Sequence, residues 1–310
     1  MTNEIHDVIM IGAGPSALTA AIYTTREDLN TVLYEKAVVG GMVAITDRVD
    51  NYPGFPNGVE GMVLTEQMHK QAENFGAKIE MGNATALRHE NGINIVTVDG
   101  QEVSAKTVLI ATGSDYNKIG APGEAEFYGR GVHYCATCDG AFYRGKKLVV
   151  VGGGNSAVQE AIFLTRFSSH IDLLVRSTVK ASDVLQKELQ KMVGVGKITV
   201  HIGTTTDEIV ATDGRVSSVR VTTDGKSRLI ETDGVFVFAG LRPNTGFLDG
   251  SGVVLDDDKF IKTDRHLQTS LPGVFASGDV RSGATMQVAS AVGEGATAAL
   301  SIREYLGGLK

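Results

Sequence analysis

The chain has 310 residues, 42% of them hydrophobic, which is enough for two modules that each bury a core. Its formal net charge of −7 argues against a nucleic-acid partner, because a phosphate backbone is held by concentrated Lys and Arg. Glu4 and Asp7 precede a short apolar run broken by Gly12, Gly14 and Pro15, so neither a basic leader nor a membrane span is expected there, and a soluble cytoplasmic protein is.

Residues 7–11 form an apolar run that predicts a strand. It ends in Gly12-Ala13-Gly14-Pro15-Ser16-Ala17, after which Leu18, Ala21, Ile22 and Thr25 follow at helical spacing. In such a turn the first glycine permits the bend, the second admits a pyrophosphate, and the helix N-terminus favours its negative charge. A second strand, 31–34, leads to Glu35, an acid at the distance from the turn where a ribose diol finds its acceptor. Residues 61–75 predict a helix with Met62, Met68 and Phe75 in the core, and this helix is also a candidate to meet a second subunit. Asp99-Gly100 predicts a hairpin between 94–98 and 101–104, followed by a further strand at 107–111 that closes on Gly113.

The pattern then repeats. Residues 148–151 lead into Gly152-Gly153-Gly154-Asn155-Ser156-Ala157 and a helix through Val158, Ala161, Ile162 and Thr165. Gly12 and Gly152 stand 140 residues apart, and Gly14, Ser16, Ala17, Ala21, Ile22, Thr25 and Arg26 recur at the same offset. Asp224-Gly225 marks a second hairpin, before a strand at 234–239 that closes on Gly240. Where the first copy has Glu35 the second has Val175, followed by Arg176 and Lys180; no acid accepts a diol there, and the cations suit a 2′-phosphate. Beyond Asn244 only a strand at 274–276 and a last helix from about Gly295 are expected, and these complete the first module. The expected fold class is α/β, with two Rossmann-like domains, each a parallel sheet with an antiparallel meander. Residues 1–116 and 246–310 form one domain, and 117–245 are inserted in it through two crossings that can hinge. Asp279, at the end of the late strand, is placed to accept hydrogen bonds from flavin ribityl hydroxyls.

Only two cysteines occur, in Tyr134-Cys135-Ala136-Thr137-Cys138-Asp139-Gly140, too few for a disulfide-stapled secreted scaffold. Their spacing allows a small exchangeable disulfide, with Asp139 beside it to move protons. Zinc would need more soft ligands than His133 and Asp139 add. An inert buried pair of cysteines, or an Asp139 that merely caps a turn, would also fit these residues. A flavin in the same chain favours redox work, since it gives the dithiol an electron source. The seven histidines show no metal spacing and receive no role.

These motifs, with Gly40-Gly41, Asn51-Tyr52-Pro53-Gly54, Ala111-Thr112-Gly113 and Gly278-Asp279, stand in the order of a known family. Over essentially its full length the chain resembles the low-molecular-weight thioredoxin reductases, FAD-dependent pyridine nucleotide-disulfide oxidoreductases. The resemblance implies a homodimer in which FAD passes electrons to the disulfide, and domain rotation about hinges near Asn117 and Asn244 alternately serves the dithiol and NADPH. It implies that Cys138 lies nearer the flavin, that Cys135 attacks a thioredoxin disulfide, and that Asp139 is acid and base. It assigns FAD contacts to Gly12, Gly14, Pro15, Ser16, Glu35, Lys36 and Ala84. The remaining FAD contacts would be Gly40, Gly41, Met42, Thr46 and Asn51, then Ala111, Thr112 and Gly113, then Gly278, Asp279, Met286, Gln287 and Val288. The nicotinamide nucleotide would lie on Gly152, Gly154, Asn155, Ser156, Arg176, Lys180 and Gly240, with no metal required. Three departures stand out. The family usually carries His-Arg-Arg and a further Arg where this chain has Val175-Arg176-Ser177 and Lys180. It has Gln where Met42 stands and Arg where Met286 stands. NADPH is the implied donor; a reductase of the same fold fed by NADH or ferredoxin, one serving a peroxiredoxin system, or a flavin–dithiol redox sensor would carry the same motifs.

Overall fold

In the computed structural model, which describes residues 5–46 and 48–308, the chain enters on β1 (Ile5–Ile11) and turns into α1 (Pro15–Thr25). Glu4 lies outside the described residues. The chain continues through β2 (Thr31–Glu35), α2 (Gly41–Ala44), α3 (Gly61–Asn74), β3 (Lys78–Met81), β4 (Ala84–Glu90), β5 (Ile93–Val98) and β6 (Gln101–Ile110). These strands form a sheet in the order β3-β2-β1-β6-β5-β4, parallel from β3 to β6 and antiparallel beyond. The expected strand at 107–111 is not separate from the hairpin. β6 runs unbroken because 104–107 contains no Gly, Pro, Asn or Asp, and Ser104 and Ala105 pair with β5 on one side and β1 on the other.

The chain leaves this unit by β7 (Ser114–Tyr116). It then builds β8 (Val132–His133), α4 (Ala136–Asp139), β9 (Lys147–Val151), α5 (Asn155–Leu164), β10 (His170–Val175), α6 (Asp183–Gly194) and β11 (Ile198–Ile202). β12 (Thr204–Thr212), β13 (Arg215–Thr223) and β14 (Lys226–Glu231) follow, then β15 (Gly234–Val237) and the return crossing β16 (Leu241–Pro243). The parallel sheet is β11-β10-β9-β15-β8, and the meander β12-β13-β14 is a sheet of its own. Asp233 explains the difference from the first unit. Its N–H donates to the Lys147 carbonyl and its carboxylate accepts the Lys147 N–H, so the chain breaks between β14 and β15.

The chain divides into one compact unit that runs to Asp115 and resumes at Arg242, and a second, Tyr116–Leu241. The return falls a few residues before the expected 245/246 boundary. β7 and β16, the two crossings, pair with each other. The first unit ends with β17 (Val274–Ala276), which adds to β6 in parallel, and α7 (Val288–Gly308). α7 starts well ahead of the expected Gly295. The glycines that suggested a loop lie inside the helix, where Gly295 lets α7 press on α1: a Cβ there would overlap the Ser16 carbonyl oxygen.

Strand alternation places Val8, Met10, Leu33 and Leu109 in a core under α1, α3 and α7, and Ile9, Ile11, Val32 and Ile110 in a second core on the opposite face. On α3 the inward face is Gly61, Leu64, Thr65, Met68 and Ala72. The expectation of Met62 and Phe75 as core fails, with 57% and 43% of each exposed. Met62 lies off the stripe that Leu64, Met68 and Ala72 set, whereas Phe75 falls just past the last residue of α3, Asn74, and lies under the Arg26 guanidinium instead. In the second unit Leu148 and Val150 join one core and Val149 the other. Among the described residues no helix is long and apolar enough to cross a membrane.

Candidate functional site

Gly12 bends the chain at φ +99°, and a Cβ there would lie 2.5 Å from the Ala111 carbonyl oxygen. Gly14 caps α1 with Pro15 behind it at the first turn, and a Cβ on Gly14 would meet nothing within 4 Å. Two further segments converge on this helix start. Gly41 approaches Gly14, the Ser16 hydroxyl bonds that of Ser277 at 2.6 Å, and Gly278, at φ +73°, packs on Ser16. The Gly40 N–H donates to the Ala13 carbonyl at 2.8 Å, and Gly40, at φ +101°, presses on Thr65.

Glu35 is buried and reaches back into the turn. One carboxylate oxygen accepts the Ala13 N–H at 2.8 Å and the other the Ala37 N–H at 2.9 Å. Each oxygen keeps capacity for a further donor. Glu35 lines a groove of about 190 Å³ together with Gly12, Lys36, Ala84 and Thr112. Asn83, Asn244 and Phe247 also line it, and sequence reasoning did not place them there. In the sequence Asn244 suggests only a hinge, yet its amide and the Thr112 hydroxyl each bond the other residue's carbonyl, at 3.0 and 2.8 Å.

Asp279 follows β17 and Gly278. Burial first, and then the nearby Glu294, push its carboxyl up to about 6, with no hydrogen bond to offset them. Glu294 itself is engaged, forked by Arg281 at 2.6 and 3.1 Å and accepting the Gly278 N–H at 2.8 Å. A half-buried carboxyl without a donor, in the same unit as an open glycine turn, suits the hydroxyl-rich chain of FAD. Of the other expected contacts, Asn51 donates to Gln287 at 3.0 Å and the Thr46 hydroxyl to the Met42 carbonyl at 2.9 Å. Met42 is exposed, Gly113 has φ +64°, and Val288 opens α7. Met286 takes φ +57°, with its sulfur 3.9 Å from the Ser114 hydroxyl.

The second turn repeats the first. Gly152, at φ +141°, would place a Cβ 2.5 Å from the Phe238 carbonyl oxygen, as Gly12 does with Ala111. Gly154 caps α5 and a Cβ on it would meet open space. Val175 packs on Gly153, filling the side from which Glu35 serves the other turn. The Lys180 N–H holds the Gly153 carbonyl at 2.7 Å, keeping the loop from Arg176 to Lys180 against the turn. Both cationic side chains are exposed, and no carboxylate among the described residues pairs with either. Asn155 accepts the Ser182 N–H at 2.8 Å, Ser156 is exposed, and Gly240 has φ +96°.

Cys135 and Cys138 are joined in a disulfide with their Cα atoms 5.3 Å apart. Cys135 caps α4, and its sulfur accepts the Cys138 N–H at 3.1 Å. Cys135 is half-buried and Cys138 is exposed. Asp139 does not cap a turn through its side chain; its carboxylate lies 3.2 Å from Nδ1 of His133. His133 Nε2 in turn lies 2.7 Å from the Tyr143 hydroxyl. Sequence reasoning missed His133 because a lone histidine carries no spacing signal; its nearness to Cys135 was the one hint. Among the described residues no three metal-ligating side chains gather.

The profile of the pyridine nucleotide-disulphide oxidoreductases matches residues 6–295. The chain belongs to that family. Membership implies FAD and a pyridine nucleotide, and makes the chain a flavin-dependent oxidoreductase. Its sequence is 39% identical to a thioredoxin reductase of Bacillus subtilis, over 98% of this chain and 95% of that one. It is 40% identical to one from Listeria innocua, over 99% and 96%. The crystal structure of a thioredoxin reductase from Streptococcus pyogenes matches with a TM-score of 0.93 at 35% identity, covering 99% of this chain and all of that one.

Proposed function

We propose that this protein is a thioredoxin reductase, passing two electrons from NADPH through the Cys135/Cys138 pair to the disulfide of a thioredoxin-like protein. The observation that carries the reading is the disulfide at the start of α4, with an acid beside it, in a chain with two open glycine turns. FAD, when bound, supplies the two-electron carrier between nicotinamide and disulfide. In the unit of β1 and α7, the Gly12–Gly14 turn receives its pyrophosphate, Glu35 its adenosine ribose and Asp279 its ribityl chain. In the other unit, Cys135 attacks the substrate disulfide, Cys138 resolves the mixed disulfide, and Asp139 carries the proton between thiol and thiolate. The exposed Met62 and Val63 of α3 offer an apolar face for a second copy in a homodimer. A lone redox pair suits the reducing cytoplasm.

Arg176 and Lys180 grip the 2′-phosphate in this reading, which their exposure beside the second turn supports. Val175 favours one variation: with no acid to hold a ribose diol and a thin cationic pair, a donor such as ferredoxin replaces the nucleotide. Anaerobic titration with NADPH and then NADH, followed at the visible flavin band, separates the two. Bleaching by NADPH that reverses on adding oxidised thioredoxin is expected. No bleaching by either nucleotide, while dithionite-reduced protein still reduces thioredoxin, would select another donor.

A further inference from the structure

We infer that His133, backed by Tyr143, is a positioning residue that clamps one oxygen of the Asp139 carboxylate and leaves the other for proton exchange with the dithiol. The inference rests on the proposed acid–base role of Asp139. His133 is buried, with 8% of its side chain exposed, and both ring nitrogens are engaged. A carboxylate only accepts, so an Nδ1–H facing Asp139 across the 3.2 Å contact leaves Nε2 to accept from the Tyr143 hydroxyl, one tautomer with one polarity along the chain. Tyr143 can hold that direction. Burial, then the carboxylates of Asp139 and Asp233, push its phenol up to about 12, so it remains a donor at neutral pH.

The rings are fixed by packing. His133 stacks on Phe236 at 5.1 Å, and Tyr143 meets both edge-on, at 5.4 and 5.6 Å. Gly234, opening β15, makes the place for Tyr143: a Cβ there would come 2.5 Å from the phenol ring. The charged or titratable groups around His133 are therefore Asp139, Tyr143 and Asp233, the last held by Lys146 at 3.3 Å, besides the dithiol itself.

In the exchange, the thiolate of Cys135 attacks the substrate disulfide, forming a mixed disulfide and expelling one substrate thiolate. The Cys138 thiol gives its proton to Asp139, attacks the Cys135 sulfur and expels the second thiolate, which receives that proton. Two electrons pass to the substrate, and the His133 proton stays in place throughout.

The test uses the full-length flavoprotein, reduced with dithiothreitol, freed of it and mixed with oxidised thioredoxin at a series of pH values. His133→Phe keeps the ring and its packing but neither nitrogen; it is expected to slow the exchange about tenfold and displace the pH profile. His133→Asn, whose amide nitrogen takes the place of Nδ1, should restore most of the rate, and Tyr143→Phe should displace the profile in the same sense, but less. A wild-type profile in His133→Phe, alongside a displaced one in Asp139→Asn, overturns the inference and leaves the reductase reading intact. An undisplaced Asp139→Asn profile overturns the acid–base role instead. Should His133→Phe not fold, as its flavin band would report, an unmoved profile in Tyr143→Phe overturns the clamp.

Discussion

Asp279 is a side chain that costs stability, and on the proposed reading it does so in order to serve FAD. Its folded pKa of about 6 lies above the ordinary 3.8. The native state therefore binds the proton more tightly, and stability falls as pH rises between those values, with the whole penalty present above about 6. In protein stripped of flavin, Asp279→Asn should raise stability by about 2 kcal/mol at neutral pH, a gain that shrinks as pH falls toward 4. Urea melts at several pH values read this directly. The same variant should bind FAD about tenfold more weakly, because an amide replaces a charged acceptor. If the stripped variant proves no more stable than its parent, the half-buried carboxyl is relieved by something other than the flavin. At this scale the sequence was legible wherever one residue type answers one demand. Gly12 at a closed bend, Glu35 at a strand end and the paired cysteines each had a spacing to betray them. His133 had none: its partners, Asp139 and Tyr143, meet it only because β8, α4 and the turn after it fold together.

Elements were legible where periodicity was clean and misread where packing overruled propensity. Gly293 and Gly295 look alike in sequence, and both weaken a helix in isolation by about 1 kcal/mol relative to alanine. Their surroundings differ. Gly293 is exposed with open space at its Cβ position, whereas Gly295 lies buried against the Ser16 backbone. Gly293→Ala should therefore stabilise the protein by about 0.5–1 kcal/mol. Gly295→Ala, despite the same gain in propensity, should destabilise it by about 2 kcal/mol, because the backbone of α1 cannot yield as a flexible side chain would. It should also weaken FAD binding, since Ser16 sits in the first turn beneath the proposed pyrophosphate site. Thermal melts with and without FAD distinguish the pair; equal effects from both would mean that the α1–α7 contact is looser than the geometry requires. The continuity of β6 escaped notice for a related reason. A strand that serves two neighbours of opposite direction leaves no break for a turn signal to mark.

At the level of the whole chain, the duplication is the strongest organising fact, and its asymmetry points to the donor. The two turns share their closed bend, their open second glycine and their helix, so the contrast between Glu35 and Val175 stands on an otherwise common frame. In the first copy the acid is satisfied by the Ala13 N–H and left able to accept from a diol. In the second, Val175 packs on Gly153 at the corresponding place, and the nearest polar side chains beyond it are exposed. Val175→Glu should therefore rebuild the first copy's arrangement in the second, with the Gly153 N–H as donor. The new carboxylate would accept from the ribose diol of NADH and repel a 2′-phosphate. The expected result is a change of at least about tenfold in the ratio of kcat/KM for NADPH over NADH, in favour of NADH, with flavin content unchanged because the first turn is untouched. Stopped-flow reduction with each nucleotide measures the ratio without a thioredoxin. If the ratio does not move although the variant folds and holds its flavin, the end of β10 does not meet the ribose, and the second turn, for all its likeness to the first, no longer reads the sugar of its donor.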